Sequence, residues 1–201
     1  MNFVHPSQCT LVYTLPLDRE RFYADLDNRQ NKHFAVFMQN QNRGLNRKAL
    51  WSLRMEGPIG LAKKILDEVE EMGVVVLNQV KGNELGKLFE EDRVITLVAH
   101  STGSDVEFSD KLYSNYEIAR QVPEKFKGII DLTVCNAFGL SDAIRAVNRN
   151  CRIVSNRNHT TFSLRMSLYK HIIGRMIKEG CGYLDALEKI RIDVLREVHS
   201  K

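Results

Sequence analysis

Cysteine, proline and tryptophan are scarce in this sequence, and long hydrophobic runs are missing from it. The 201 residues include four cysteines, four prolines and one tryptophan. No two cysteines form a CxxC pair, so we expect no metal cage. No apolar run approaches the roughly 20 residues that cross a bilayer, and the N-terminus lacks the charged and then apolar pattern of a signal peptide. We therefore expect a cytoplasmic protein with reduced thiols and no membrane partner.

Positive charges only slightly outnumber negative charges, which argues against nucleic acid as a partner. The formal net charge is +4, and lysine and arginine are scattered among acidic neighbours. Neither glycine-rich phosphate loop, GxGxxG or GxxxxGK, occurs, so nucleotide binding is a weak alternative and we expect no cofactor. With 43% hydrophobic and 27% charged residues, the chain has the composition of a single globular domain over residues 1–201.

Apolar periodicity predicts strands alternating with helices, and hence an α/β sandwich with a largely parallel sheet. Short continuous runs of β-formers are typical of buried parallel strands. Residues 1–57 are the hardest to assign, and their polar stretch at 40–57 predicts a long surface loop. The predicted strands are 10–15, 33–39, 74–80, 94–99, 129–134 and 152–155, with a hairpin within 106–113. The predicted helices are 19–26, 59–72, 83–89 with Asn83 as its cap, 116–121, 141–147, 162–178 and 183–198.

Cys135 and His100 are the residues most suggestive of chemistry. Each directly follows a predicted buried strand, VITLVA before His100 and IIDLTV before Cys135. In an open parallel sheet, binding and catalytic groups collect at the carboxyl ends of the strands. A thiol and an imidazole at two such ends could share one crevice, where a neighbouring base or cation favours the reactive thiolate.

Each of these residues also has a plain structural interpretation. A lone cysteine is most often a small buried hydrophobe, and a histidine after a strand is often a surface residue. Cys135 differs from the other three cysteines because a turn-prone Asn-Ala-Phe-Gly segment and a helix follow it. We expect Cys9, Cys151 and Cys181 to be structural. His159 is the main rival to His100, because it follows the predicted strand 152–155.

Three segments between about residues 83 and 191 resemble the CHAT family, caspase-like cysteine peptidases. They are VITLVAHSTG, IIDLTVCNA, and a tail that combines the strand IVSN with two helices carrying Tyr169, Ala186 and Leu187. The connector VEFSDKLYSNYEIA is also similar. The resemblance implies a caspase-like three-layer sandwich with helices on both faces of the sheet. It also implies a cysteine endopeptidase that acts through a Cys-His dyad without a metal.

The resemblance also implies roles for individual residues. Cys135 would be the nucleophile and His100 the acid–base catalyst, while the backbone N–H groups of Ser101 and Cys135 would bind the oxyanion. The family usually has glycine directly after the histidine, whereas this chain has Ser101 there and Gly103 two residues later.

Three residues are candidates for substrate binding: Ser155, and either Arg157 or Asp131 for the side chain before the scissile bond. Arg157, in the segment that starts at Ser155, would hold an acidic side chain, as arginines do in caspases. Asp131, on the same strand face as Cys135, would instead hold a basic side chain, and we favour Arg157. The substrate would be a protein or peptide bound in an extended conformation along a sheet edge. The alternative function is a catalytically inactive caspase-fold module that binds a regulatory protein partner.

Overall fold

Seven strands and eight α-helices make up the described part of the chain. The computed structural model describes residues 5–89, 93–155 and 162–199. The strands are β1 (Cys9–Tyr13), β2 (Val75–Asn78), β3 (Val94–Ala99), β4 (Asp105–Glu107), β5 (Leu112–Ser114), β6 (Ile129–Val134) and β7 (Arg152–Ser155). The helices are α1 (Arg19–Asp27), α2 (Phe34–Gln41), α3 (Arg47–Leu50), α4 (Glu56–Glu71), α5 (Asn115–Ala119), α6 (Phe138–Val147), α7 (Phe162–Glu179) and α8 (Tyr183–His199). Short 3₁₀ helices span Pro6–Gln8 and Gly82–Leu88, and a π-helical turn spans Trp51–Met55.

Five parallel strands form the central sheet, in the order β2-β1-β3-β6-β7. β1 and β3 are buried along their whole length, which explains their continuous apolar sequences. The ladder between β3 and β6 runs from Val94 paired with Ile129 to Ala99 paired with Val134. Strands β4 and β5 form a separate antiparallel hairpin.

Two hydrophobic cores cover the two faces of the sheet, so helices flank it on both sides. Alternate residues of β1, such as Leu11 and Tyr13, pack into a core shared with α1, α2, α4, α7 and α8. The intervening Val12 packs with α5, α6 and the hairpin on the other side. The segment that follows β1 therefore packs on one face of the sheet, and the segment that follows β3 packs on the other face. In parallel sheets this reversal opens a crevice at the carboxyl ends of the two strands.

The α/β class and the parallel sheet are confirmed, and so are the predicted strands at 10–15, 74–80, 94–99, 129–134 and 152–155. The hairpin within 106–113 and the helices at 19–26, 59–72, 116–121, 141–147, 162–178 and 183–198 also agree with the structure, apart from shifted ends. Asn83 lies inside the 3₁₀ helix rather than capping it from outside.

The predicted strand at 33–39 is wrong, because these residues form helix α2. The run HFAVFMQ suits either element, and a tertiary contact decides between them. The Glu107 carboxylate accepts hydrogen bonds from the N–H groups of His33 and Phe34, at 2.8 and 2.7 Å. These N–H groups lie at the start of the helix and have no partner within it. The distant carboxylate therefore stabilises the helix N-terminus.

The predicted surface loop at 40–57 is also mostly wrong. Asn46 caps α3 by accepting a hydrogen bond from the Ala49 N–H, at 2.9 Å. The π-helical turn then joins α3 to α4, and the N–H of Glu56, the first residue of α4, donates a hydrogen bond to the Trp51 carbonyl. Pro58 has no N–H to donate to the fourth residue before it, and the wider turn just before Pro58 accommodates this loss.

Candidate active site

A cavity of about 760 Å³ opens at the carboxyl ends of β1, β3 and β6, where the chain switches faces. Its floor includes the residues that end β3 and β6 and those that follow them. Helix α2, the π-helical turn and the start of α4 form one wall, and the first turn of α7 forms another. Both His100 and Cys135 line this cavity.

The sheet register explains why these two residues lie at neighbouring strand ends. The last pair of the β3–β6 ladder is Ala99 with Val134, so the next step along both strands reaches His100 and Cys135. Adjacent strands lie about 4.8 Å apart. In the described residues, however, no hydrogen bond joins the Cys135 thiol to the His100 imidazole.

The segments that follow the two residues pack directly against each other. Asn115 Nδ2 donates a hydrogen bond to the Gly103 carbonyl, at 2.8 Å. A Cβ atom at Gly139 would lie 2.8 Å from that carbonyl oxygen and 2.5 Å from Asn115 Nδ2. Only glycine fits this contact, so the start of α6 lies directly against the loop after His100.

A tight turn holds Cys135 at the end of β6. Asn136 has a φ of 52°, in the left-handed region that residues other than glycine rarely adopt. Asparagine tolerates this conformation better than most residues do. Helix α6 starts two residues later, at Phe138. The strand, the left-handed residue and the helix place the thiol at the cavity floor, and strained backbone of this kind is concentrated at functional sites.

Arg165 of α7 brings a positive charge to the end of β6. Its Nη1 donates to the carbonyl oxygens of Leu132 and Val134, at 3.4 and 3.1 Å, and the residue is 9% exposed. Burial lowers the pKa of Arg165, while the nearby Cys135 and Asp131 act in the opposite direction. Arg165 is also one of the residues that line the cavity. It is therefore a cation close to the thiol.

Arg165 is a site residue that the sequence reasoning missed. One pattern could have identified it, because Arg165 shares a helical stripe with the buried residues Tyr169, Ile172 and Met176. A charged residue on a buried stripe requires a polar partner. Here carbonyl groups of strand β6 are the partners, and the sequence does not reveal this contact.

The His100 ring is held between two aromatic side chains of α2. Its centroid lies 5.8 Å from that of Phe34 and 5.6 Å from that of Phe37. Burial lowers the pKa of His100 to about 4, and the neighbouring His33 contributes in the same direction. The imidazole is therefore neutral at pH 7 and can accept a proton.

A buried ion pair fixes α2 beside His100. The Glu107 N–H donates to the His100 carbonyl, at 2.8 Å, while its carboxylate caps α2. Lys32 Nζ lies 3.9 Å from the Glu107 carboxylate and donates to the Phe108 carbonyl. Burial raises the pKa of Glu107 and lowers that of Lys32. The hairpin therefore positions both His100 and the helix that covers it.

Ser101 lines the cavity and is buried, and its Oγ accepts a hydrogen bond from the Gly103 N–H, at 3.0 Å. Ser101 forms a bridge with Val106. The two flanking bonds use the N–H groups of Thr102 and Glu107, so the Ser101 amide is outside this ladder. The residue whose amide is expected to bind an oxyanion is therefore part of the cavity lining.

Asp131 and Ser155, two of the candidates for substrate binding, do not line the cavity. Asp131 is buried in the core and does not line the cavity, so the expectation that it faces a substrate is not met. Its carboxylate accepts hydrogen bonds from the Tyr183 hydroxyl, at 2.6 Å, and the Thr133 hydroxyl, at 3.4 Å, and burial raises its pKa. Ser155 is exposed at the end of the edge strand β7 and is not part of the cavity lining. Arg157 and the rival His159 lie outside the described residues.

The other three cysteines have different surroundings. Cys9 is fully buried in β1, and burial raises the pKa of its thiol to about 12. The Cys151 thiol donates to the Asn148 carbonyl and its pKa is raised by burial, while the Cys181 thiol contacts the Arg175 carbonyl. None of these three described cysteines lines the cavity.

Comparisons with known proteins gave no match: no family model, no curated protein and no solved structure is similar to this chain. Within the described residues, no helix is long and apolar enough to span a membrane. The same residues hold no group of three or more histidine, cysteine or acidic side chains that could bind a metal ion.

Proposed function

We propose that this chain is a caspase-like cysteine endopeptidase, with Cys135 as the nucleophile and His100 as the acid–base catalyst. One observation carries the proposal: a thiol and a neutral imidazole line one cavity at the carboxyl ends of adjacent parallel strands. The motifs VITLVAHSTG and IIDLTVCNA, which resemble the CHAT family, end at this same cavity. The proposal places the protein in the cytoplasm, where a catalytic thiol stays reduced.

In the first step, the Cys135 sulfur attacks the carbonyl carbon of a peptide bond. The S–C bond forms, and the carbonyl electron pair moves to the oxygen. His100 accepts the thiol proton and delivers it to the amide nitrogen as the C–N bond breaks. Proton transfer by a positioned group of this kind contributes roughly 10²–10⁴ in rate. The Arg165 guanidinium favours the thiolate during attack.

The developing oxyanion is stabilised by backbone donors at the cavity floor. The N–H groups of Ser101 and Cys135 are the candidates, because both residues line the cavity. Losing one donor of this kind typically costs about 3–4 kcal/mol of transition-state stabilisation. In the second step, water adds its hydroxyl to the acyl carbon, the S–C bond breaks, and a proton returns to the sulfur through His100.

The test combines thiol labelling with peptide cleavage. We expect one equivalent of iodoacetamide at pH 7 to modify Cys135 before the other cysteines, and a diverse peptide library to be cleaved by the wild-type protein. Cys135→Ala should abolish both, whereas the control Cys151→Ala should change neither. Cleavage that survives Cys135→Ala, at an unchanged circular dichroism spectrum, would refute the assignment.

The second candidate is an inactive module that binds a protein partner in the cavity. It is favoured by the aromatic packing of His100, whose low pKa makes the ring a weak base. In that case His100→Gln would leave the alkylation rate of Cys135 unchanged, and no library peptide would be cleaved. The peptidase proposal expects His100→Gln to lower cleavage by at least 10²-fold.

A further inference from the structure

The cavity is lined mainly by apolar side chains. These side chains are Phe34, Phe37 and Met38 of α2, together with Leu15, Met55 and Pro58. Its volume of about 760 Å³ lies in the range of pockets that bind small-molecule ligands of drug size. Such a lining desolvates whatever enters, so a charged group inside without a partner would be strongly disfavoured.

The charged residues of the cavity all carry one sign. Arg29, Arg54 and Arg165 line it, and none of the described residues that line it carries a carboxylate. Arg29 and Arg54 are exposed, and Arg29 donates to Gln39 Oε1, at 3.2 Å, so these two belong to the rim. The cavity therefore offers no partner for a basic side chain, whereas its rim is complementary to an acidic one.

We propose that this cavity selects peptides with a large apolar residue, such as leucine, methionine or phenylalanine, directly before the scissile bond. The apolar side chain packs against the wall formed by α2 and the π-helical turn. An acidic residue further along the peptide pairs with Arg29 and Arg54 at the rim. The proposal rests on the peptidase function proposed above and specifies its substrate class. It differs from selection through Asp131, which is buried in the core.

The test uses a series of peptidyl acyloxymethyl ketones that differ only in the residue next to the reactive carbonyl. Leucine, phenylalanine, aspartate and arginine are compared by the rate of Cys135 alkylation, followed by intact mass. We expect the leucine and phenylalanine probes to react at least tenfold faster than the other two, since one hydrophobic group in a pocket gives 10–200-fold discrimination. An aspartate or arginine probe that reacts fastest would overturn the proposal.

A matched pair of variants tests the location of the pocket. Met38 lies in the cavity wall and is half-buried. Met38→Glu adds a carboxylate to the lining and should raise the arginine-to-leucine rate ratio at least tenfold, whereas Met38→Gln, of the same size, should not. Equal ratios in the two variants, both folded by circular dichroism, would contradict the assigned pocket.

Direct binding separates this proposal from the peptidase proposal. Cys135→Ala protein is titrated by calorimetry with peptides of one sequence in which leucine is replaced by arginine or aspartate. Tighter binding of the leucine peptide supports the apolar pocket even if no probe alkylates the wild-type thiol, in which case only the peptidase proposal fails. Equal binding of the three peptides, or no binding, overturns the pocket itself.

Discussion

Arg165 and Cys135 illustrate how a single buried cation can define a site. A buried guanidinium is disfavoured unless hydrogen bonds and nearby negative charge compensate for the lost hydration. Two strand carbonyls provide the hydrogen bonds, and the thiol at the end of the same strand lies close enough to interact electrostatically. A thiolate at Cys135 would therefore have a cationic neighbour before any substrate binds.

We expect Arg165→Gln to slow alkylation of Cys135 by iodoacetamide about tenfold at pH 7, because the thiolate loses its cationic neighbour. Arg165→Lys should retain part of the rate, since it keeps the charge but loses the forked geometry. The measurement is the alkylation rate between pH 5 and 10. Lys178→Gln, an equal charge change at an exposed position of the same helix, is the control. Superimposable pH profiles for Arg165→Gln and wild type would contradict a role for this charge.

The low pKa of His100 links stability to pH. Between pH 6.5 and about pH 4 the unfolded chain binds a proton at this residue and the folded protein does not. Stability therefore falls as pH decreases through this window and is fully retained above pH 6.5. At pH 4, the protonation of this residue in the unfolded chain lowers the free energy of unfolding by about 3 kcal/mol relative to its value above pH 6.5.

We expect His100→Gln to flatten this acid limb, measured as the free energy of unfolding in urea at pH 7, 5.5 and 4.5. The exposed imidazole of His171 lies on α7, so His171→Gln should leave the slope of the wild type unchanged. A His100→Gln protein that loses as much stability between pH 7 and 4.5 as wild type would show that the ring is not held in its neutral form.

At the scale of elements, α2 depends on a contact from another part of the chain. The Glu107 carboxylate that caps it lies 73 residues from Phe34 in the sequence. Its charge is buried together with that of Lys32, and removing one member of a buried pair typically costs 3–5 kcal/mol. The aromatic wall around His100 therefore depends on a hairpin that itself does not line the cavity.

We expect Glu107→Gln to destabilise the protein by about 3 kcal/mol, since it leaves Lys32 buried without its closest carboxylate. Lys32→Met should cost a similar amount by leaving Glu107 unpaired. The double variant should be less destabilised than the sum of the two, because neither charge then remains alone. Urea unfolding of all four proteins measures the coupling, and simple additivity would argue against an interacting pair.

Elements differed in how well the sequence predicted them, and the source of their stability explains why. β3 and β6 are buried on both faces, so their own residues identify them as strands and place His100 and Cys135 at their ends. Helix α2 is stabilised by Glu107, which is distant in the sequence, so the local pattern of residues 33–39 could not reveal the helix. Helix α3 was predictable in part, since Asn46 before Arg-Lys-Ala-Leu is a recognisable helix start.

At the scale of the whole molecule, residues 5–57 are integral to the fold rather than an extension of it. They provide β1, which lies between β2 and β3 in the sheet. They also provide α2 and the π-helical turn, which form the apolar wall of the cavity. The sequence predicted β1 and α1 in this part but not the place of β1 in the sheet, because strand order follows from pairing with distant strands. We therefore expect residues 1–57 to unfold together with the rest.

Trp51 provides a measurement of this coupling, because it is the only tryptophan and its ring packs 5.8 Å from that of Phe22. We expect its fluorescence and the far-ultraviolet circular dichroism to give one coincident transition in urea.

Leu11→Ala, in the fully buried β1, should lower stability by about 2–5 kcal/mol and shift both signals equally. Leu53→Ala, at a position that is 66% exposed, should shift neither by more than about 0.5 kcal/mol. A fluorescence transition at lower urea than the circular dichroism transition would mean that the N-terminal part unfolds first, and the apolar wall would then open while the Cys135 and His100 strands stay paired.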